Sequence, residues 1–61
     1  MRIIEIRDKF GETIYTSPDK IGFIEYHKRD KYYTIFFNNG EVRHISNEEF
    51  DDLINLMRKE D

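Results

Sequence analysis

Apolar and polar positions alternate along most of this chain, and the period changes once, near residue 46. Ile4 and Ile6 alternate with Glu5 and Arg7, which predicts a strand over residues 3–7. Asp8-Lys9-Phe10-Gly11 follows. A three-residue hairpin loop needs its last residue in the left-handed region, and Gly11 supplies it. That loop sets Ile6 opposite Ile14 and Ile4 opposite Thr16, on a second strand over 13–16. Ser17-Pro18-Asp19-Lys20 reads as a turn, because proline at the second position already has the required φ. A third strand over 21–27 and a fourth over 32–38 flank the charged loop Lys28-Arg29-Asp30-Lys31. Asn39-Gly40 between two β-rich runs predicts a two-residue type I′ hairpin into a fifth strand over 41–45. From there the period lengthens. Phe50, Leu53, Ile54 and Met57 line one helical face, and Ser46 with Glu49 forms a capping box, predicting a helix over 46–60. The expected architecture is α+β: a five-stranded antiparallel meander over 1–45, with one C-terminal amphipathic helix packed on one face, in a single domain of 61 residues.

Register then sorts the side chains. The Asn39-Gly40 turn pairs Phe37 with Val42 and Phe36 with Arg43, and a turn centred on Arg29-Asp30 pairs Ile24 with Ile35 and Phe23 with Phe36. Directly paired residues share a face. The helix-covered face should hold Ile24, Tyr26, Tyr33, Ile35, Phe37, Val42 and His44, joined by Ile4, Ile6 and Ile14. The opposite face should hold Phe23, Glu25, His27, Tyr32, Thr34, Phe36 and Arg43, with Ile3 and Tyr15. One helix does not cover both faces, and a contiguous exposed apolar patch is a mark of an interaction site. Curling into a partial barrel is the structural alternative.

Composition narrows the chemistry. With no cysteine there are neither disulfides nor thiolate metal sites, and two histidines do not complete a structural zinc site unaided. His27 and His44 fall on opposite faces in this register, so no metal and no cofactor is expected. The absence of cysteine fits a cytoplasmic protein. No stretch approaches the roughly 18 apolar residues of a membrane span. Charged residues make up 38% of the chain, and the net charge of −3 is uneven: residues 46–61 carry six acids and two bases. Glu48, Glu49, Asp51 and Asp52 lie in the first helical turns, with Arg58 and Lys59 near the end, as the helix dipole favours.

No catalytic constellation is legible. Ser17 precedes a proline and Ser46 is committed to the helix cap, so neither reads as an activated nucleophile. The three glycines are isolated, and the carboxylate pairs Glu48-Glu49 and Asp51-Asp52 lie in a solvated helix turn. The chain therefore reads as no enzyme. A sheet with interleaved aromatic and basic residues is also a stacking platform for single-stranded nucleic acid. Tyr32, Phe36, Phe23 and Tyr15 are the candidates for bases, and Lys28, Arg29, Lys31 and Arg43 for phosphates. A sequence pI near 5.3 gives that alternative a weak electrostatic footprint. A third reading has the acidic helix mimic nucleic acid and block a basic groove.

The order of elements resembles the small FlbD-type proteins of some bacterial flagellar operons, over nearly the whole chain. Phe10-Gly11 stands where that family has an Asn-Gly turn, and Ser17-Pro18-Asp19 is similar to its Asn-Pro-Asp. Ile21, Ile24 and Glu25 match its Ile-x-x-Ile-Glu strand, and residues 34–40 are similar to its Thr-x-Ile-x-Leu-x-Asn-Gly hairpin. The helix entry, Ile45-Ser46 with Glu48, Glu49 and Phe50, resembles the single-strand-binding coactivator fold over those few residues. The resemblance implies a sheet-plus-helix fold and no catalytic residues. The expectation is a bacterial or phage accessory module that acts by protein contact or self-association. Its binding residues should be Phe23, Tyr32, Phe36, Arg43, Tyr15, Lys28, Arg29 and Lys31.

Overall fold

A computed structural model describes residues 2–59. The elements run β1 (Ile4–Arg7), β2 (Thr13–Thr16), a 3-10 turn (Pro18–Lys20), β3 (Ile21–His27), β4 (Tyr32–Phe37), β5 (Val42–Ser46) and α1 (Asn47–Arg58). The predicted helix end at residue 60 lies outside the described residues. The chain is α+β with antiparallel strands and one C-terminal helix, but the strands do not form one meander. They make a two-stranded sheet, β1-β2, and a three-stranded sheet in the order β3-β4-β5.

The division falls at Pro18. Proline has no N–H to give a ladder, and Ser17 and Lys20 close a tight turn around it (Lys20 N–H to Ser17 O, 3.0 Å). The start of β3 is then tied to the end of β4. Asn38 donates its backbone N–H to Lys20 O at 2.8 Å, and its side chain to Asp19 O at 3.0 Å. The hydroxyl of Ser17 donates to the Asp19 carboxylate and holds its pKa below the ordinary value.

The β1-β2 hairpin has the predicted register, with Ile4 opposite Thr16 and Ile6 opposite Ile14. Its three-residue loop is closed by Asp8 N–H to Glu12 O at 2.8 Å, with Gly11 at φ 88. The Asp8 carboxylate stiffens it by accepting the N–H groups of Phe10 and Glu12, both at 2.9 Å.

The β4-β5 hairpin departs from expectation by one residue. Phe36, not Phe37, pairs with Val42, and Ile35 pairs with Arg43. A type I′ turn needs positive φ at both central residues. Here Gly40 alone is positive, at φ 94. Phe37 N–H to Glu41 O at 2.9 Å and Gly40 N–H to Phe37 O at 3.0 Å close a three-residue loop, Asn38, Asn39 and Gly40. A one-residue slip exchanges the faces of a whole strand. Arg43 and Ile45 therefore turn inward, and Val42 and His44 turn outward. The result buries Ile45 completely, at 0% exposure, and leaves Val42 at 40%.

A second irregularity keeps β3 in step. Its register shifts between Ile21 and Phe23, so Gly22 is a bulge residue. A Cβ there would come within 3.0 Å of Phe36 O and of Asn38 Oδ1. The bulge lets Ile21 and Ile24, an odd and an even position, both pack against the core.

The core is Ile4, Ile6, Ile35, Phe37, Ile45 and Leu53. The helix lies against β1, β4 and β5. Ser46 caps it as expected, its hydroxyl accepting Glu49 N–H at 3.2 Å. Phe50 stacks on Tyr33 at 3.7 Å between ring centroids. Leu56 joins Phe50 and Met57 against the core, whereas Ile54 borders a shallow surface depression with Asp51, Asn55 and Arg58. At the far end, Arg2 donates to the carbonyls of Lys59 (2.6 Å) and Met57 (3.2 Å), a cation at the negative pole of the helix.

The slipped register orders two substitutions. Ile45→Ala should cost about 2–5 kcal/mol, as a fully buried large-to-small change. Val42→Ala should cost under about 1 kcal/mol, within the span of exposed strand propensities. Urea midpoints in the reverse order would restore the two-residue turn.

Candidate functional site

The face of the three-stranded sheet away from the helix is built from three transverse rows. Phe23, Phe36 and Val42 pair across the strands, then Glu25, Thr34 and His44, then His27, Tyr32 and Ser46. Each row follows from the alternation of strand side chains once the β4-β5 register is set.

The first row is apolar. Phe23 is 57% exposed and stacks on Phe36 with ring centroids 4.4 Å apart. Phe36 is half-buried, and Val42 flanks it on β5.

The middle row is polar and closely knit. Thr34 is only 3% exposed although it lies on this outer side. Its hydroxyl oxygen is 2.7 Å from His27 Nε2 and 3.0 Å from His44 Nδ1. The two histidines thus share one face and bracket one hydroxyl, which corrects the expectation that they lie on opposite faces. The cause is again the one-residue slip, which turned His44 outward. Glu25 Oε1 lies 3.9 Å from His27 Nε2.

Tyr32 closes the third row. His27 stacks on it at 4.3 Å, and His44 meets it edge-on at 5.6 Å. The β1-β2 loop reaches over from the other sheet. Lys9 N–H donates to His44 O at 2.8 Å, the Lys9 ammonium lies 4.2 Å from the Tyr32 ring centroid, and Phe10 approaches His44 edge-on at 6.3 Å. Lys9 and Phe10 belong to this surface, and sequence reasoning missed them because no local pattern reports where a hairpin tip docks.

The other candidates distribute as follows. Phe23, Phe36 and Tyr32 share the outer face as expected. Lys28, Arg29 and Lys31 are exposed in the loop that joins His27 to Tyr32, at the edge of that face. Arg43 leaves it. Paired with Ile35, it shares the helix side, where its guanidinium meets Glu41 Oε2 at 3.4 Å and its Nε is buried without a hydrogen-bond partner among the described residues. Tyr15 and Ile3 also leave it, because β1-β2 is a separate sheet. They line a depression of about 400 Å³ with Ile14, Phe37, Lys20 and Glu41. For base stacking the geometry is less open than the sequence suggested: His27 and Lys9 cover Tyr32, and Arg43 is unavailable on that face. Among the described residues, no helix is long and apolar enough to cross a membrane.

The chain matches no family model, and no curated protein or solved structure is significantly similar to it. The reading therefore rests on the site itself.

The loop beside the site carries local strain. Lys31 takes φ 58, and its N–H donates to His27 O at 2.7 Å. A left-handed non-glycine residue costs about 1–2 kcal/mol, while glycine adds roughly 0.5–1 kcal/mol of chain entropy. Lys31→Gly should therefore stabilise the fold by about 0.5 kcal/mol, read as a raised urea midpoint. A lowered midpoint would mean that the lysine side chain itself holds the loop.

Proposed function

We propose that this protein is a small non-catalytic contact module, accessory or regulatory in role, that binds protein through the outer face of the three-stranded sheet. The observation that carries the reading is the apolar row Phe23, Phe36 and Val42, which crosses all three strands with Phe23 57% and Val42 40% exposed. Apolar side chains held in register on a covered scaffold, next to a polar centre and a basic rim, form the core-and-rim pattern of an interface.

Size sets the strength. Three strands at about 4.8 Å spacing and about 20 Å length project roughly 300 Å². Stable complexes bury about 800 Å² per partner. The contact is therefore transient unless the partner also engages the loops, and self-association is a fast, concentration-dependent equilibrium.

Phe23→Asp tests the face, because Phe23 is exposed and its replacement costs the fold only the aromatic pair, about 0.5–1.5 kcal/mol. Light scattering at two protein concentrations should show a mass that rises with concentration in the parent and stays monomeric in the variant. A parent that stays monomeric at both concentrations removes self-association. A variant that associates like the parent removes the face.

A further inference from the structure

Two imidazoles and one hydroxyl on the outer face can satisfy one another's donors and acceptors in every charge state except the one with both rings protonated. Thr34 Oγ1 lies within hydrogen-bond distance of both His27 Nε2 (2.7 Å) and His44 Nδ1 (3.0 Å). A threonine hydroxyl donates one hydrogen bond and accepts through two lone pairs. With both rings neutral, one ring donates to Oγ1 and the hydroxyl donates to the other ring. With one ring protonated, that ring donates and the hydroxyl still donates to its neighbour. With both protonated, both nitrogens carry hydrogen and point at the same oxygen. The hydroxyl proton then has no acceptor in the trio. Thr34 is 3% exposed, so its polar groups depend on partners within the protein.

Charged and aromatic groups surround the trio on several elements. From β3, Glu25 Oε1 lies 3.9 Å from His27 Nε2. From the β1-β2 loop, the Lys9 ammonium lies over Tyr32, which meets His44 edge-on. Tyr32 on β4 and Phe10 from the same loop are the ring neighbours, and Lys28, Arg29, Asp30 and Lys31 follow His27 in the exposed loop. A metal ion is a poor occupant. The hydroxyl fills the point where the two nitrogens converge, and among the described residues no group of three or more His, Cys, Asp or Glu side chains is placed to hold one.

We propose that His27, Thr34 and His44 form an acid-sensitive latch across β3, β4 and β5, which holds the outer face together while at most one ring is protonated and releases it when both are. The three residues span the sheet between the apolar row and Tyr32, so release disturbs both ends of the face. The latch rests on the contact reading only for its consequence, which is loss of the partner on acidification.

Linkage gives the sign. The unfolded chain binds a proton on each histidine, whereas the latched fold binds one in total. Unfolding therefore takes up a proton, and stability falls as pH falls. Imidazole is the side chain that ordinarily changes charge between pH 5.5 and 7.5, and this chain has two histidines and no cysteine. The unfolding equilibrium constant in urea should rise about tenfold between those two pH values. In His27→Gln and in His44→Gln, where an amide takes the place of one ring, it should change less than about twofold. A parent with no pH dependence, or either variant retaining the parent's, overturns the latch. Should a variant fail to fold, ring-proton NMR of the parent decides. Successive protonation of the two rings supports the latch, and coincident protonation overturns it. Light scattering at both pH values separates the two claims. A parent monomeric at both refutes self-association, while the stability measurements still decide the latch.

Discussion

The pairing of Phe36 with Val42 determines which side chains of β5 look toward the helix and which look away. Two costs favour it. Fully burying an isoleucine contributes about 1.5–3 kcal/mol, and the observed register delivers that at Ile45. The other register would exchange Ile45 and Arg43 for Val42 and His44 on the covered side. It would bring an imidazole toward an apolar interior, where an unmade hydrogen bond costs about 1–3 kcal/mol. Turned outward, His44 finds the Thr34 hydroxyl and the Tyr32 ring. A three-residue loop with one left-handed glycine is therefore the local condition for both the core and the outer face.

A second constraint is size. A chain of this length buries only about 60% of the surface it exposes when unfolded. The structure spends its covering elements on one side. The β1-β2 hairpin contributes Ile4 and Ile6, and the helix contributes Leu53. Arg2, bound to the last helical carbonyls, joins the start of the chain to its end. Among the described residues, the opposite side has no layer of its own beyond the tip of the hairpin loop, where Lys9 and Phe10 reach Tyr32 and His44. The outer face is left to cover itself, through Phe23 on Phe36 and His27 on Tyr32.

Much of this was legible in the chain. The first hairpin, the β3-β4 register, the helix cap and most of the core followed from periodicity and turn residues. Three features did not, each for a stated reason. Asn39-Gly40 carries the signature of a two-residue turn, but Asn38 before it serves a three-residue loop equally well, and only Ile45 against His44 as the inward residue discriminates. Gly22 was an unremarkable strand glycine until Ile21 and Ile24, of opposite parity, both had to face the core; that mismatch was the available signal for a bulge. The break between the two sheets depends on Asn38 tying β3 to β4, a contact between residues far apart in the chain. Of the expected binding residues, Phe23, Tyr32 and Phe36 share the outer face. Arg43 was lost to the slip and Tyr15 to the break.

The central claim is the register that sets the outer face, and cross-strand NOEs measure it directly. In an antiparallel pair the residues without mutual hydrogen bonds bring their Cα atoms within about 4.5 Å, close enough for a strong Hα–Hα signal. The bond from Phe37 N–H to Glu41 O makes Phe36–Val42 and Thr34–His44 pairs of that kind. The account predicts strong Hα–Hα NOEs for those two pairs. Strong signals instead between Phe37 and Val42, or between Ile35 and His44, would contradict it.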